Sequence, residues 1–210
     1  MTELWRTLVG SHMWGMQRPD SDEDIAIITT TSTNDVFLEQ IHKTKQYKEE
    51  NHDITIYELG ELIRGLQSGN VNYMWSVMSP CILSQTRNSL SELRQIVSEN
   101  LSKNYFKAIN GMATHNMYHF ILHPDKLTAV EFKKKLNTIG RSLQYGINLL
   151  LYKKALFQKV DIKDKEELDK MMLNFAEVYK NSDLPEKPSP EPFERYLLKW
   201  RMYQFRQDYQ

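Results

Sequence analysis

Two closely spaced aspartates are the residues of this sequence most able to do chemistry. Asp22 and Asp24 are separated by one residue, directly before the apolar, strand-like run at 25–29. Residues i and i+2 of a strand project to the same face. Neighbouring carboxylates repel each other unless a cation lies between them, and Mg²⁺ prefers carboxylate and phosphate oxygens. The pair therefore predicts a metal site of the kind used in two-metal phosphoryl transfer, where the ions lie about 3.5–4 Å apart.

A third aspartate stands at the start of another strand-like segment. Residues 52–57 alternate between polar and apolar side chains, which places Asp53 on the face opposite Ile54 and Ile56. If the two strands are neighbours, Asp53 can complete a triad with Asp22 and Asp24. Its predicted role is to bind the catalytic metal and to receive the proton of an attacking hydroxyl.

A glycine and a serine follow the first strand-like segment, residues 4–9. Gly10 lets the backbone approach a phosphate, and free N–H groups with the Ser11 hydroxyl can bind its oxygens. Arg18, between this turn and the carboxylates, is a further candidate phosphate contact. Taken singly, each feature has a plainer interpretation: a turn, a surface arginine and a solvated acidic loop. The combination in this order is much more specific.

The order of these features resembles the signature of the DNA polymerase beta-like nucleotidyltransferase superfamily. A narrower resemblance, to predicted nucleotidyltransferases encoded beside RNA ligases, rests on Gly10-Ser11-His12, Pro19-Asp20-Ser21-Asp22-x-Asp24, Asp53-x-x-x-Tyr57-x-Leu59 and Gly69-Asn70-x-Asn72. It implies that two divalent ions, Mg²⁺ or Mn²⁺, are bound by the carboxylates of Asp22, Asp24 and Asp53. It also implies that Gly10 and Ser11 hold the phosphates of an NTP. One departure is Glu23, where such proteins often have an aliphatic residue.

The pattern of elements predicts an α+β fold. Strand and helix signals alternate up to residue 69, including a helix predicted over 35–48, and indicate a mixed β-sheet with flanking helices. After residue 70 the strand signals disappear and helical periodicity dominates. We therefore expect a nucleotidyltransferase catalytic domain at 1–85 and an all-helical domain at 86–210 that binds nucleotide and substrate.

The charge distribution suggests a role for the helical part. Residues 1–102 are rich in carboxylates, whereas residues 103–210 have an excess of lysine and arginine. Basic helices could neutralise a triphosphate or an RNA backbone, and Arg141 is a candidate phosphate contact. The alternative is a solvated basic face without a partner.

Two further patterns leave alternatives open. In the last helix, Tyr196, Trp200 and Tyr203 have the spacing of a core face, but aromatics interleaved with arginines can also grip single-stranded nucleic acid. His115 and His119 are spaced to chelate a metal on one helix face. No acidic general base accompanies them, and a polar stripe is the simpler interpretation.

These observations together predict a metal-dependent transferase that moves NMP from an NTP to a hydroxyl acceptor and releases pyrophosphate. The expected acceptor is RNA, either a tRNA or an RNA end, with a functional link to an RNA ligase. A protein or small-molecule acceptor, or a non-catalytic nucleotide- or RNA-binding module, are the alternatives. The single cysteine, Cys81, and the absence of a signal-peptide pattern or a long apolar run favour a cytoplasmic protein without a membrane partner.

Overall fold

The computed structural model describes residues 2–19, 21–42, 44–123 and 127–209, so Asp20 of the motif lies outside the described residues. The chain forms two compact units. The first consists of Met1–Asn100 and Pro188–Gln210, and the second of Leu101–Lys187. None of the described helices is both long enough and apolar enough to span a bilayer.

A five-stranded mixed sheet forms the centre of the first unit. Its strands are β1 (Thr2–Leu8), β2 (Glu23–Thr30), β3 (Lys45–Glu49), β4 (His52–Glu58) and β5 (Ile82–Gln85), in the spatial order β3-β4-β2-β1-β5. β2 and β4 are parallel, and the other neighbours pair antiparallel. Because the sheet is mixed and helices pack with it, the α+β class predicted from the sequence is confirmed.

Helices of the first unit connect and cover these strands. They are α1 (Gly10–Met13), α2 (Thr33–Phe37), α3 (Leu59–Gln67), α4 (Val71–Met78), α5 (Ser89–Glu99) and, from the end of the chain, α9 (Pro190–Asp208). Thr7 of β1 lies opposite Ala26 of β2, and its hydroxyl donates to the Ser76 carbonyl of α4 at 3.0 Å. This contact marks the helix-covered face of the sheet, which also carries Asp24 because residues two apart share a face.

Isoleucines of β2 and β4 form a cluster on the opposite face. Ile25, Ile27 and Ile54 are buried together, with Leu8 and Ile56 packed against them. This alternation fixes which side chains face the helices, since a slip of one residue would exchange the isoleucines with Asp24.

The second unit is helical throughout its described elements. It contains α6 (Lys103–Asn116), a π-helical segment (Met117–Leu122), α7 (Ala129–Tyr152) and α8 (Lys165–Lys180). Large side chains from these helices fill its core, among them Tyr105, Phe106, Leu143, Tyr145 and Phe175. His115 and His119 are adjacent and exposed here, with ring centroids 4.3 Å apart.

The structure corrects two expectations about secondary structure. The helix predicted over 35–48 is wrong: α2 ends at Phe37, and Lys45–Glu49 form edge strand β3. Phe37 is 74% exposed and Ile41 39% exposed, so their helical spacing finds no core to pack against. The absence of strands after residue 70 is also wrong, because Ile82–Gln85 pair with β1.

The two compact units divide the chain differently from the expected boundary at residue 85. α5 and α9 pack with each other and with the sheet, so the end of the chain returns to the first unit. The functional division into a catalytic and a substrate-binding part stays a prediction.

A buried ion pair fastens α9 to the end of β4. Glu58 is fully buried, accepts hydrogen bonds from the backbone N–H groups of Gly60 and Glu61, and pairs with Arg201 of α9. A buried carboxylate that loses its cation is strongly destabilised. The pair therefore links the C-terminal helix to the sheet.

Arg201→Ala is expected to lower the free energy of unfolding of the first unit by about 3 kcal/mol, because it leaves Glu58 buried without its cation. All four tryptophans lie in this unit, so their fluorescence during urea unfolding reports on it specifically. Arg195→Ala is the matched control, because Arg195 on the same helix has an exposed partner, Glu191. Equal urea midpoints for the two variants would show that the buried pair does not anchor α9.

Candidate active site

Parallel pairing of β2 and β4 brings two of the predicted carboxylates side by side. Asp24, near the start of β2, lies opposite Asp53, near the start of β4. Paired residues of neighbouring strands share a face, so both carboxylates project to the same side. Asp22 directly precedes β2. The structure thus places Asp24 and Asp53 side by side and Asp22 one residue before β2, at the N-terminal ends of two adjacent strands.

The residue between the first two aspartates points the other way. Glu23 lies opposite His52, and their side chains are 3.3 Å apart. Since this pair alternates with the Asp24–Asp53 pair, Glu23 belongs to the opposite face of the sheet. Its departure from the family pattern therefore leaves the carboxylate cluster intact.

The cluster carries an electrostatic cost without a cation. Burial raises the pKa of Asp24, the negative charge of Asp53 raises it further, and Asp22 adds a smaller effect of the same sign. The nearby His12 acts in the opposite direction. The raised pKa means that the ionised carboxylate is destabilised where it stands. A cation bound nearby would relieve this cost.

One positive charge is supplied by a lysine that sequence reasoning missed. The Nζ of Lys48 lies 2.6 Å from Oδ2 of Asp22 and 4.0 Å from Oδ2 of Asp53. The hydrogen bond to Asp22 raises the pKa of Lys48. Lys48 pairs with Asp53 across β3 and β4, so its position depends on the strand that the sequence concealed within a predicted helix.

Gly10 is packed directly against Asp24. Its φ is +57°, and a Cβ at this position would lie 1.8 Å from Oδ2 of Asp24. The preceding Val9 donates its backbone N–H to the Asp24 carbonyl at 2.8 Å, which ties the turn to β2. Glycine is required here both for the positive φ and for the space that the carboxylate occupies. Ser11 follows Gly10 in α1.

His12 is a second group near the carboxylates that the sequence analysis did not assign to the site. Its charge influences Asp24, and its Nδ1 is buried without a hydrogen-bond partner among the described residues. The Gly-Ser-His order of the motif was the signal that could have singled it out.

The two predicted arginines lie in different compact units. Arg18 is exposed, and its backbone N–H donates to Oγ of Ser21 at 2.8 Å. Arg141 lies on α7 of the second unit, where burial lowers the pKa of its guanidinium. A phosphate-binding role for either stays a prediction.

Other residues of the motif support the scaffold. Leu59 is fully buried, and Asn70 caps α4 by accepting hydrogen bonds from the N–H groups of Asn72 and Tyr73. The rings of Tyr57 and Tyr73 meet edge to face, 4.9 Å apart. These positions hold α3 and α4 against the sheet that carries the aspartates.

As they stand, the carboxylates are not gathered around one point. Within the described ranges, no three side chains of His, Cys, Asp or Glu are close enough to hold a metal ion. Lys48 lies between Asp22 and Asp53 instead. Carboxylates such as these nevertheless are donors of the type that hard divalent cations prefer.

The mixed sheet, the Gly-Ser turn and the clustered aspartates are the arrangement of a polymerase beta-like nucleotidyltransferase. The model of the family described as "RlaP: RNA repair pathway DNA polymerase beta family" matches residues 2–157, and the chain belongs to this family. A comparison with curated proteins found no match. A solved nucleotidyltransferase-like protein from Exiguobacterium sibiricum aligns with 11% identity and a TM-score of 0.33, over 98% of this chain and 69% of that chain.

Gly10→Ala is expected to destabilise the protein more than Gly15→Ala. Both glycines have positive φ, so each substitution costs about 1 kcal/mol of backbone strain. At Gly10 the new Cβ also collides with Asp24, whereas at Gly15 nothing lies within 4 Å. Thermal unfolding of both variants measures the difference. Equal losses would mean that the turn does not press against the carboxylate.

Asp24→Asn is expected to raise the thermal midpoint at pH 7 in metal-free buffer. The pKa of Asp24 is raised in the folded state, so its ionised form opposes folding above that pKa. As the pH falls through the raised value toward 3.8, the wild-type carboxyl takes up a proton and the advantage of asparagine disappears. Midpoints measured from pH 3 to pH 8 check this convergence. A constant difference across the range would contradict it.

Proposed function

We propose that this protein is a metal-dependent nucleotidyltransferase that transfers NMP from an NTP to a hydroxyl of RNA and releases pyrophosphate. The observation that carries the proposal is the pairing of Asp24 with Asp53 on neighbouring parallel strands, with Asp22 beside them. Membership of a nucleotidyltransferase family supports the same chemistry.

Asp22, Asp24 and Asp53 would hold two divalent ions, Mg²⁺ or Mn²⁺. The fit rests on the donor set, since all three are carboxylates, and on the raised pKa of Asp24, which burial and then the charge of Asp53 cause. Bound ions would neutralise the phosphates and lower the pKa of the attacking hydroxyl.

The residues around the carboxylates have distinct proposed roles. Gly10 and Ser11 present backbone N–H groups and a hydroxyl to the phosphates of the NTP. Asp53 is 37% exposed and accepts the proton of the attacking hydroxyl. That oxygen forms a bond to the α-phosphorus while the bond to the bridging oxygen breaks, and pyrophosphate leaves.

Lys48 is proposed to exchange its partner when the NTP binds. In the structure its ammonium neutralises Asp22 and approaches Asp53. Cations would replace it at the carboxylates, which frees the ammonium for a phosphate oxygen. This role requires only rotation of an exposed side chain.

Support for an RNA acceptor comes from two sources. The family description places its members in an RNA repair pathway, which also makes a functional link to an RNA ligase part of the proposal. The second unit carries an excess of basic residues suited to a polyanion. Within that unit Arg141 is the proposed phosphate contact, and Arg18 is the proposed contact near the carboxylates.

The direct test is to incubate the protein with each α-phosphate-labelled NTP, Mg²⁺ or Mn²⁺, and either RNA or total protein. Label is expected on RNA and is expected to fall more than about a hundredfold in Asp24→Asn and Asp53→Asn. Glu23→Gln is the matched control, because it alters the neighbouring carboxylate on the opposite face. Label on protein would change the acceptor class and overturn the RNA assignment.

Metal binding provides a readout that does not depend on turnover. Mg²⁺ or Mn²⁺ is expected to raise the thermal midpoint of the wild type and of Glu23→Gln, and much less that of Asp24→Asn. If no NTP is used and neither ion shifts the midpoint, the protein is a non-catalytic module.

A further inference from the structure

A cavity of about 460 Å³ lies between α5 and α9 of the first unit, outside the carboxylate cluster. Its wall combines one acidic side chain, Glu92, with basic and aromatic ones: Arg87, Lys199, Trp200, Tyr203 and Arg206. The volume falls within the range of small-ligand sites. α9 lies beyond residues 2–157, so the match to the family does not account for this cavity.

The charges in the cavity are arranged to leave a positive surplus. Glu92 is paired with Lys199 at 2.6 Å. Arg87 and Arg206 have no carboxylate partner in the part of the chain that the structure describes, and both are exposed. Two guanidinium groups that no carboxylate neutralises can bind phosphate oxygens.

Aromatic surface adjoins these cations. The guanidinium of Arg87 lies over the ring of Tyr203, 4.8 Å from its centroid, and Tyr203 meets Trp200 edge to face at 5.2 Å. Arg87 has a φ of +52°, a strained value that nonglycine residues adopt mainly where the structure or function requires it. Trp200 is only 3% exposed, and its indole N–H has no partner among the described residues.

We propose that this cavity binds a nucleotide of single-stranded RNA, with its phosphate on Arg87 and Arg206 and its base against Tyr203. Cations beside an aromatic face are the general means of binding single strands, because phosphates and base faces recur at every nucleotide. Exposed lining residues favour a strand that passes over the surface. The inference rests on the proposed function only in taking the polymer to be RNA.

The cavity is at the far end of the sheet from the carboxylates. Gln204, next to Tyr203, accepts a hydrogen bond from Thr30 at the end of β2, whereas Asp24 is at its start. A strand rises about 3.3 Å per residue, so Thr30 lies about 20 Å from Asp24 along β2. The cavity therefore binds a part of the RNA strand that is distant from the reacting hydroxyl. The distance between the two sites sets the length of RNA that the protein requires.

The test measures binding of a labelled oligoribonucleotide of about 12 nucleotides by fluorescence anisotropy, without NTP or metal. Arg87→Ala and Arg206→Ala are each expected to weaken binding about tenfold. Each is also expected to reduce the slope of log Kd against log salt concentration by about 0.7. Tyr203→Leu is expected to weaken binding about fivefold with an unchanged salt dependence, because it removes stacking and no charge.

Arg195→Ala, a charge removed from the same helix outside the cavity, is the matched control and is expected to bind like the wild type. Circular dichroism checks that every variant is folded. The proposal is overturned if the wild type binds no RNA, if the cavity variants match Arg195→Ala, or if duplex RNA binds equally well. It is also overturned if the cavity variants weaken binding of free AMP but leave binding of the oligoribonucleotide unchanged. Because no transfer step is measured, failure of nucleotidyl transfer would leave the result standing.

Discussion

The register between β2 and β4 is the constraint on which the candidate site depends. It places Asp24 opposite Asp53, and the same alternation buries Ile25 and Ile54 on the other face. The apolar cluster therefore fixes the position of the carboxylates, since a shift of one residue would place the charge of Asp24 among the isoleucines. The pairing of β2 with β4 therefore determines both the apolar cluster that stabilises the sheet and the concentration of negative charge on its other face.

This concentration of charge determines what surrounds it. Gly10 has no side chain where the Asp24 carboxylate lies, and Lys48 supplies a cation from the edge strand. Burial and repulsion keep the pKa of Asp24 raised even so. Binding of cations would relieve this repulsion, as the proposed metal-dependent function requires.

The last helix connects the opposite end of the sheet to a different kind of surface. Arg201 of α9 is committed to the buried Glu58, and Gln204 to Thr30, whereas Arg206 has no such partner among the described residues. α9 therefore carries both side chains that anchor it to the sheet and side chains that line the cavity. Tyr196 and Trp200 confirm the core-face interpretation of the aromatic spacing, and Tyr203 borders the cavity.

The sequence by itself determined the elements whose signals are local. The Gly-Ser turn, the Asp-x-Asp before an apolar strand and the alternation after Asp53 each follow from residue types at fixed spacing, and they single out the candidate carboxylates. Only the tertiary structure decided the edges of the sheet. β3 and β5 are exposed along their whole length, so no alternation of burial marks them, and they exist because β4 and β1 offer unpaired backbone groups. Lys48 lies on β3, so the sequence pattern did not indicate its position beside the aspartates. The place of α9 was equally hidden, because its contacts with Thr30 and Glu58 join residues far apart in the chain.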